Sequence, residues 1–309
     1  MSLMRTTLAF GPELPHFGSW QWLGADLQRG LSHEFETCSF STEIPAADIV
    51  VIIKFLPSLE TLQVLRRSSR IVFCPVDIYF SDIEIQQDAQ RLKLCHAIVT
   101  HAPSLQAYFR PFAPTFDIPH HVKYVTELNA QRSDQGPILW VGVQANLEPL
   151  VTWLKGHKLP RELVILTDES DLAGRNRIHQ QIRALQPVEV HPWTPENHLR
   201  WLDRCSAAID IKGDDFRARH KPATKACDYL ASGIPIALEP ESNPAQILQQ
   251  LGFRAVSPTD DNWLSPEYRQ ECLQFGAALR EVLSLRRIAI RWAWLFHKLM
   301  SVPLQRDLL

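Results

Sequence analysis

Arg217, Arg219, His220, Lys221, Thr224, Lys225 and Asp228 crowd into one stretch of the chain. An apolar run ends near Ile211, a polar loop follows, and Pro222 is a residue favoured at the first position of a helix. Free backbone N–H groups and the positive end of the helix dipole would then point where these cations sit. Lys225 comes four residues after Lys221, so both can flank the helix start. Such a site suits a diphosphate or another anion; a solvated basic loop is the competing reading. No other chemistry announces itself by spacing. The six cysteines, Cys38, Cys74, Cys95, Cys205, Cys227 and Cys272, form no C-x-x-C pair, and most sit beside apolar residues and read as small buried hydrophobes. The twelve histidines include no H-E-x-x-H. Asp214-Asp215 and Asp260-Asp261 are loop pairs without a D-x-D metal motif, so no metal site is expected.

The elements that must hold this stretch are those of an α/β protein, because short apolar runs alternate with helical patterns along most of the chain. Strands are predicted at Thr6–Phe10, Phe35–Phe40, Ile49–Ile53, Ile71–Cys74 and Ala97–Thr100. Helices are predicted near Trp20–Leu31, Leu59–Arg67, Ile83–Leu94 and Leu105–Tyr108. The polar, aperiodic run Thr126–Pro137 reads as a linker. The alternation restarts with strands at Ile138–Gly142, Leu163–Leu166, Val188–Val190, Ala207–Ile211 and Ile234–Leu238. The intervening helices are expected near Leu147–Lys155, Leu172–Leu185, Pro195–Leu202 and Pro222–Ala231. The fold class is therefore α/β, with two Rossmann-like doubly wound domains, 1–128 and 136–262. Two such domains facing one another would leave a cleft at the carboxyl ends of their strands.

Residues 263–309 differ in character and are expected to be helical, packing back on the first domain. At about 100° per residue, Val282, Leu285, Ile288, Ala289, Trp292, Phe296 and Leu299 share a face, and Arg280, Arg287, Arg291 and Lys298 form a basic stripe. A solvated edge explains the stripe; the sharper reading is contact with anionic lipid or an acidic acceptor.

The composition sets limits. The chain has 309 residues, and its 32 Lys and Arg against 34 Asp and Glu give a formal charge of −2. That balance argues against a surface built for nucleic acid. A 45% hydrophobic content is ample for a core. No apolar run reaches the roughly 18 residues of a membrane span, and Met1–Phe10 is a poor signal peptide. The expected location is the cytoplasm, with the basic stripe allowing a peripheral position at the inner membrane face.

Lys221-Pro-Ala-Thr-Lys225 followed by Asp228-Tyr-Leu-Ala-Ser-Gly-Ile-Pro-Ile236 resembles the donor-site signature of the GT-B glycosyltransferases, above all the retaining, family 4-like sugar-nucleotide enzymes. Val188-Glu-Val-His-Pro-Trp193, Leu199–Leu202 and Ala207–Asp210 resemble the run into that site, and Ile138–Gly142 is similar to the strand and turn that open the donor domain. Ala97–His101 and Ile118–His121 resemble the close of the acceptor domain more loosely. The likeness covers residues 136–258 well and the earlier chain faintly. It implies that Asp228 hydrogen-bonds the ribose hydroxyls and that Lys221, Lys225 and Arg219 lie near the diphosphate. Thr224 would donate to a phosphate oxygen, and Gly142 would allow close backbone approach. His220 stands where the family often has glutamate, Asp228 is shorter than the family's Glu, and the glycine-rich first turn is replaced by Gly11–Gly18.

The resemblance implies an enzyme that moves a sugar from a nucleoside-diphosphate sugar to a growing glycan or lipid-linked acceptor, with the donor as substrate and no separate cofactor. Retention or inversion is left open. The acceptor hydroxyl must lose a proton, and Asp77, His16 and His101, each after a predicted first-domain strand, compete to take it. The rival readings are a binding module that keeps the fold without turnover and a GT-B sugar-nucleotide epimerase. An oxidoreductase is disfavoured, because neither opening strand leads into G-x-G-x-x-G.

Overall fold

In the computed structural model, residues 5–168 and 172–304 are described. The chain divides into two compact units. The first comprises Met1–His121, His220–Pro222 and Leu283–Leu309; the second comprises Val122–Arg219 and Ala223–Val282.

The first unit is built on β1 (Thr7–Gly11), β2 (Glu36–Ser39), β3 (Ile49–Ile53), β4 (Arg70–Cys74), β5 (Ala97–Thr100) and β6 (Thr115–Asp117). These form one parallel sheet in the order β2-β1-β3-β4-β5-β6. Every residue of β3, β4 and β5 is buried, as expected for strands covered on both faces. β6 is too short and too half-buried to stand out as an apolar run, and the sequence pattern missed it. The order reverses between β1 and β3, so the loops after these strands diverge at their carboxyl ends.

The second unit carries β7 (Ile138–Val141), β8 (Leu163–Thr167), β9 (Val188–Pro192), β10 (Ala207–Asp210) and β11 (Ile236–Leu238). Its parallel order is β11-β10-β7-β8-β9, with the reversal between β7 and β10. The segment between β10 and β11 contains the helix Thr224–Ala231, starting two residues later than Pro222 suggested, with Ala223 as its N-cap. Helix Pro266–Val282 lies against it through Gly276, where an added Cβ would fall 1.9 Å from the Leu230 carbonyl oxygen. Only a glycine permits that approach.

Two expectations about organisation are corrected. The run Thr126–Pro137, read as a linker, is sewn into the second unit. Its Arg132 is buried, and the guanidinium donates to the carbonyls of Leu202 and Ser232 and to Thr126 Oγ1. The passage from the first unit to the second falls at His121–Val122 instead. Polar, aperiodic sequence looks like linker, but one arginine can bury it by capping free carbonyls near two helix ends.

The C-terminal helix is also two helices. Pro266–Val282 belongs to the second unit and Leu285–Met300 to the first, with Ser284 N-capping the latter by accepting from Arg287 N–H. Arg280 therefore leaves the basic stripe: its guanidinium donates to the carbonyls of Ala231 and Thr126. No helix among the described residues is long and apolar enough to cross a membrane.

Candidate functional site

In the second unit, the candidate site forms where the strand order reverses, at the ends of β7 and β10. Lys225 lies in the first turn of helix Thr224–Ala231, so its long side chain can reach the end of β7. Its ammonium donates to the Val141 carbonyl at 2.6 Å and lies 5.6 Å from the centre of the Trp140 ring. An added Cβ on Gly142 would lie 2.6 Å from the Trp140 ring and 3.0 Å from Lys225 Nζ. Glycine at 142 is thus required by the lysine and tryptophan as much as by any ligand. The turn that follows is fixed by Asp168, whose Oδ1 accepts from Gln144 N–H at 2.6 Å.

The helix start has no side-chain cap, so its first N–H groups receive no bond from an N-cap side chain. Thr224, half-buried, is its first residue. Arg217 and Arg219 lie on the short preceding helix Phe216–Arg219, which Asp215 caps through Ala218 N–H; Arg217 is half-buried and Arg219 exposed. Beyond β10, Lys212 pairs with Asp210 at 2.7 Å. Burial raises the Glu239 carboxyl above its ordinary range, against a hydrogen bond from the Lys212 backbone.

Asp228 departs from the role that the resemblance implied. It is 2% exposed, and its Oδ1 accepts from Lys123 N–H at 2.8 Å, with Tyr124 N–H also bonded to the carboxyl. Burial pushes its pKa up to about 8 against those bonds. The shorter aspartate thus ties helix Thr224–Ala231 to the start of the second unit.

His198, which the sequence reading passed over, is 3% exposed, with neither ring nitrogen hydrogen-bonded among the described residues. Burial, then the Lys225 charge, lower its pKa to about 3, so it is a neutral ring beside Tyr124, Trp193 and Tyr229. It sits on the helix Pro195–Arg204, and its only sequence signal was the aromatic run around it.

His220 and Lys221 belong to the first unit; His220 Nδ1 lies 2.9 Å from Ser104 Oγ and its ring meets Tyr108 edge-on. At the carboxyl ends of the first sheet, Asp77 is exposed and holds φ +52°, while His16 is exposed in the loop after β1. His101 is buried. Its Nδ1 lies 2.6 Å from the Ile118 carbonyl, so that nitrogen carries the proton and Nε2 keeps its lone pair. Burial lowers the His101 pKa to about 4, opposed by the Ile118 bond and the Asp77 charge. Asp77 and His101 are therefore electrostatic neighbours, and the exposed His16 has no described bond to either.

Lys54 was missed. It follows β3 with φ +67°, is buried, and donates to the Val76 carbonyl at 2.9 Å beside the Phe17 ring. A left-handed lysine costs energy that the surrounding fold must offset. Its one sequence signal was a cation closing a wholly apolar strand.

No family model and no curated protein sequence matches this chain. Solved structures do. AviGT4, a glycosyltransferase involved in avilamycin A biosynthesis, superposes with a TM-score of 0.63 at 15% identity, covering 96% of this chain and 98% of its own. The fold is that of the GT-B glycosyltransferases. The GT-B likeness extends to sucrose-phosphate synthase from Thermosynechococcus elongatus, with a TM-score of 0.56 at 15% identity over 94% of this chain and 82% of that one. It also extends to a putative UDP-N-acetylglucosamine 2-epimerase from Listeria monocytogenes, with a TM-score of 0.58 at 9% identity over 99% and 100%. At these identities the likeness describes the fold, and activity must be argued from side chains.

Proposed function

We propose that this protein transfers a sugar from a nucleoside-diphosphate sugar to a glycan or lipid-linked acceptor. The observation that carries the reading is Lys225: an ammonium fixed by a main-chain carbonyl and an indole, at an uncapped helix start, where the second sheet reverses its order. Glycosyl transfer breaks the bond between the anomeric carbon and the diphosphate, and the electron pair leaves with the phosphate. Preorganised positive charge at that oxygen is what lowers such a barrier. Arg217 and Arg219, on the helix just before, are the further cations of this unit for the same anion. Lys221 belongs to the first unit.

The acceptor hydroxyl forms the new bond to the anomeric carbon and gives up its proton. On the first unit, Asp77 and the neutral His101 are the groups whose chemistry suits that proton, the leaving phosphate being the other acceptor. Asp77 is the better candidate, since it is exposed while His101 is buried.

Nucleotide binding and turnover are separable. Melting the full chain with uridine, guanosine and adenosine diphosphates should show a rise for one base. Free nucleotide should then appear from the matching nucleotide sugar only when an acceptor mixture is added. Release without acceptor, accompanied by a change in the sugar, would point to an epimerase, and stabilisation without release to a binding module. No stabilisation by any nucleotide would remove the proposal.

A further inference from the structure

Helix Leu285–Met300 buries one side of itself against the first unit. Its inner face buries Ile288, Ala289, Trp292, Leu295 and Phe296. Phe296 meets Phe10 and Phe35 edge-on, and Ala289 lies close enough to Gly30 that an added Cβ there would sit 3.2 Å away. The far end is anchored by Arg70, which donates to the carbonyls of Leu299 and Val302 at 2.7 and 2.6 Å. This is a firmly seated helix.

Its outer face has the composition of an interfacial helix. Arg286, Arg287, Arg291 and Lys298 are exposed, and the helix contains no acidic residue. Between them Ile290 is 53% and Trp294 57% exposed, with Val302 exposed just beyond. At about 100° per residue, Arg287, Ile290, Arg291, Trp294 and Lys298 fall within an arc of roughly 100°. The Lys298 ammonium lies 5.0 Å from the Trp294 ring and 5.2 Å from Phe116, which packs edge-on against Trp294. Among the described residues, two carboxylates approach the helix from neighbouring elements. Glu34 pairs with His297 at its edge, and Asp117, half-buried at the end of β6, feels the Arg291 charge. Neither interrupts the line of cations from Arg287 to Lys298.

We propose that this face seats the protein on an anionic lipid surface, Trp294 and Ile290 entering the headgroup region while the cations meet lipid phosphates. Charge complementarity selects this occupant. A second copy would bring the same cations against themselves, and a small anion would leave the exposed indole and isoleucine without a purpose. A planar array of negative charge with an apolar layer beneath matches a stripe roughly 17 Å long, from Arg287 to Lys298, that mixes both. The proposal stands apart from sugar transfer, because vesicle binding requires no donor.

The test is sedimentation of the full chain with phosphatidylcholine vesicles and with vesicles containing phosphatidylglycerol. Binding should occur on the anionic vesicles and weaken with salt. The variant R287E/R291E/K298E should bind at least about a hundredfold more weakly, since each lost cation removes about 1 kcal/mol of attraction and each glutamate adds repulsion. Trp294→Ser should bind roughly tenfold more weakly with the charges intact. Both alter exposed side chains and should melt like the parent; K155E/K158E/R200E, on exposed cations of the second unit, makes the same change in net charge and is the control. Equal binding to neutral and anionic vesicles, equal loss in the control, an unaffected Trp294→Ser, or a chain that dimerises through this face would each overturn the proposal.

Discussion

Lys225 is the residue on which the donor reading turns, and its bond to the Val141 carbonyl makes a definite expectation. Lys225→Ala should weaken nucleoside diphosphate binding by about ten- to a hundredfold, the loss of one charge-assisted contact. Calorimetry on the full chain checks this, and an unchanged affinity would move the phosphate site elsewhere. Lys225→Arg should recover the affinity in part, because it keeps the charge beside Trp140 while its longer, forked head cannot hold the same short bond to the Val141 carbonyl.

Asp228 makes a different prediction. Its pKa rises from 3.8 in the free residue to about 8, so the folded chain binds an extra proton between those values. This contribution to stability is fully present below about pH 4 and is lost as pH rises through about 8, with a ceiling near 4 kcal/mol by pH 7. Asp228→Asn keeps a carbonyl for Lys123 N–H and removes the titration. Its melting temperature should gain on the parent as pH is raised from 5 to 8. It should also bind ribo- and deoxyribonucleotides in the parent's ratio, because Asp228 is engaged with the main chain.

At the scale of elements, two close fits can be tested by melting. Gly276→Ala would drive a Cβ onto the Leu230 carbonyl, separating the helices Pro266–Val282 and Thr224–Ala231. A cost of about 2 kcal/mol is expected. Since Thr224–Ala231 carries Lys225, nucleotide affinity should fall as well. Arg132→Met leaves the Leu202 and Ser232 carbonyls without their donor and should cost roughly 2–3 kcal/mol. Had Thr126–Pro137 been a linker, that variant would melt like the parent. The same scale shows where pattern reading stops. Sequence hides the boundary at Ser284 because the apolar pattern runs through it from Val282 to Leu285; in the structure Val282 is 44% exposed and the helices belong to different units.

At the scale of the whole molecule, each unit has its own parallel sheet and its own buried strands. Nucleoside diphosphate bound at the second unit should therefore raise that unit's stability first, and denaturant unfolding followed by separate probes should show one transition moving more than the other. A single transition displaced as a whole would mean that the units unfold together.

The alternation of apolar runs was enough to establish two α/β sheets, because strands buried on both faces must be apolar and the helices between them must be amphipathic. The run from Arg217 to Lys225 stood out as a cluster of cations between an apolar strand and a helix, and the strand Ala207–Asp210 and the helix Thr224–Ala231 do flank it. Which side chain spends itself on the fold was not legible. Asp228, Arg132 and Arg280 found main-chain partners far along the chain, and Lys54 and His198 became buried polar groups only when distant segments closed over them. Sequence distributes polarity along a line, whereas desolvation and hydrogen bonding act between residues that only the tertiary fold makes neighbours.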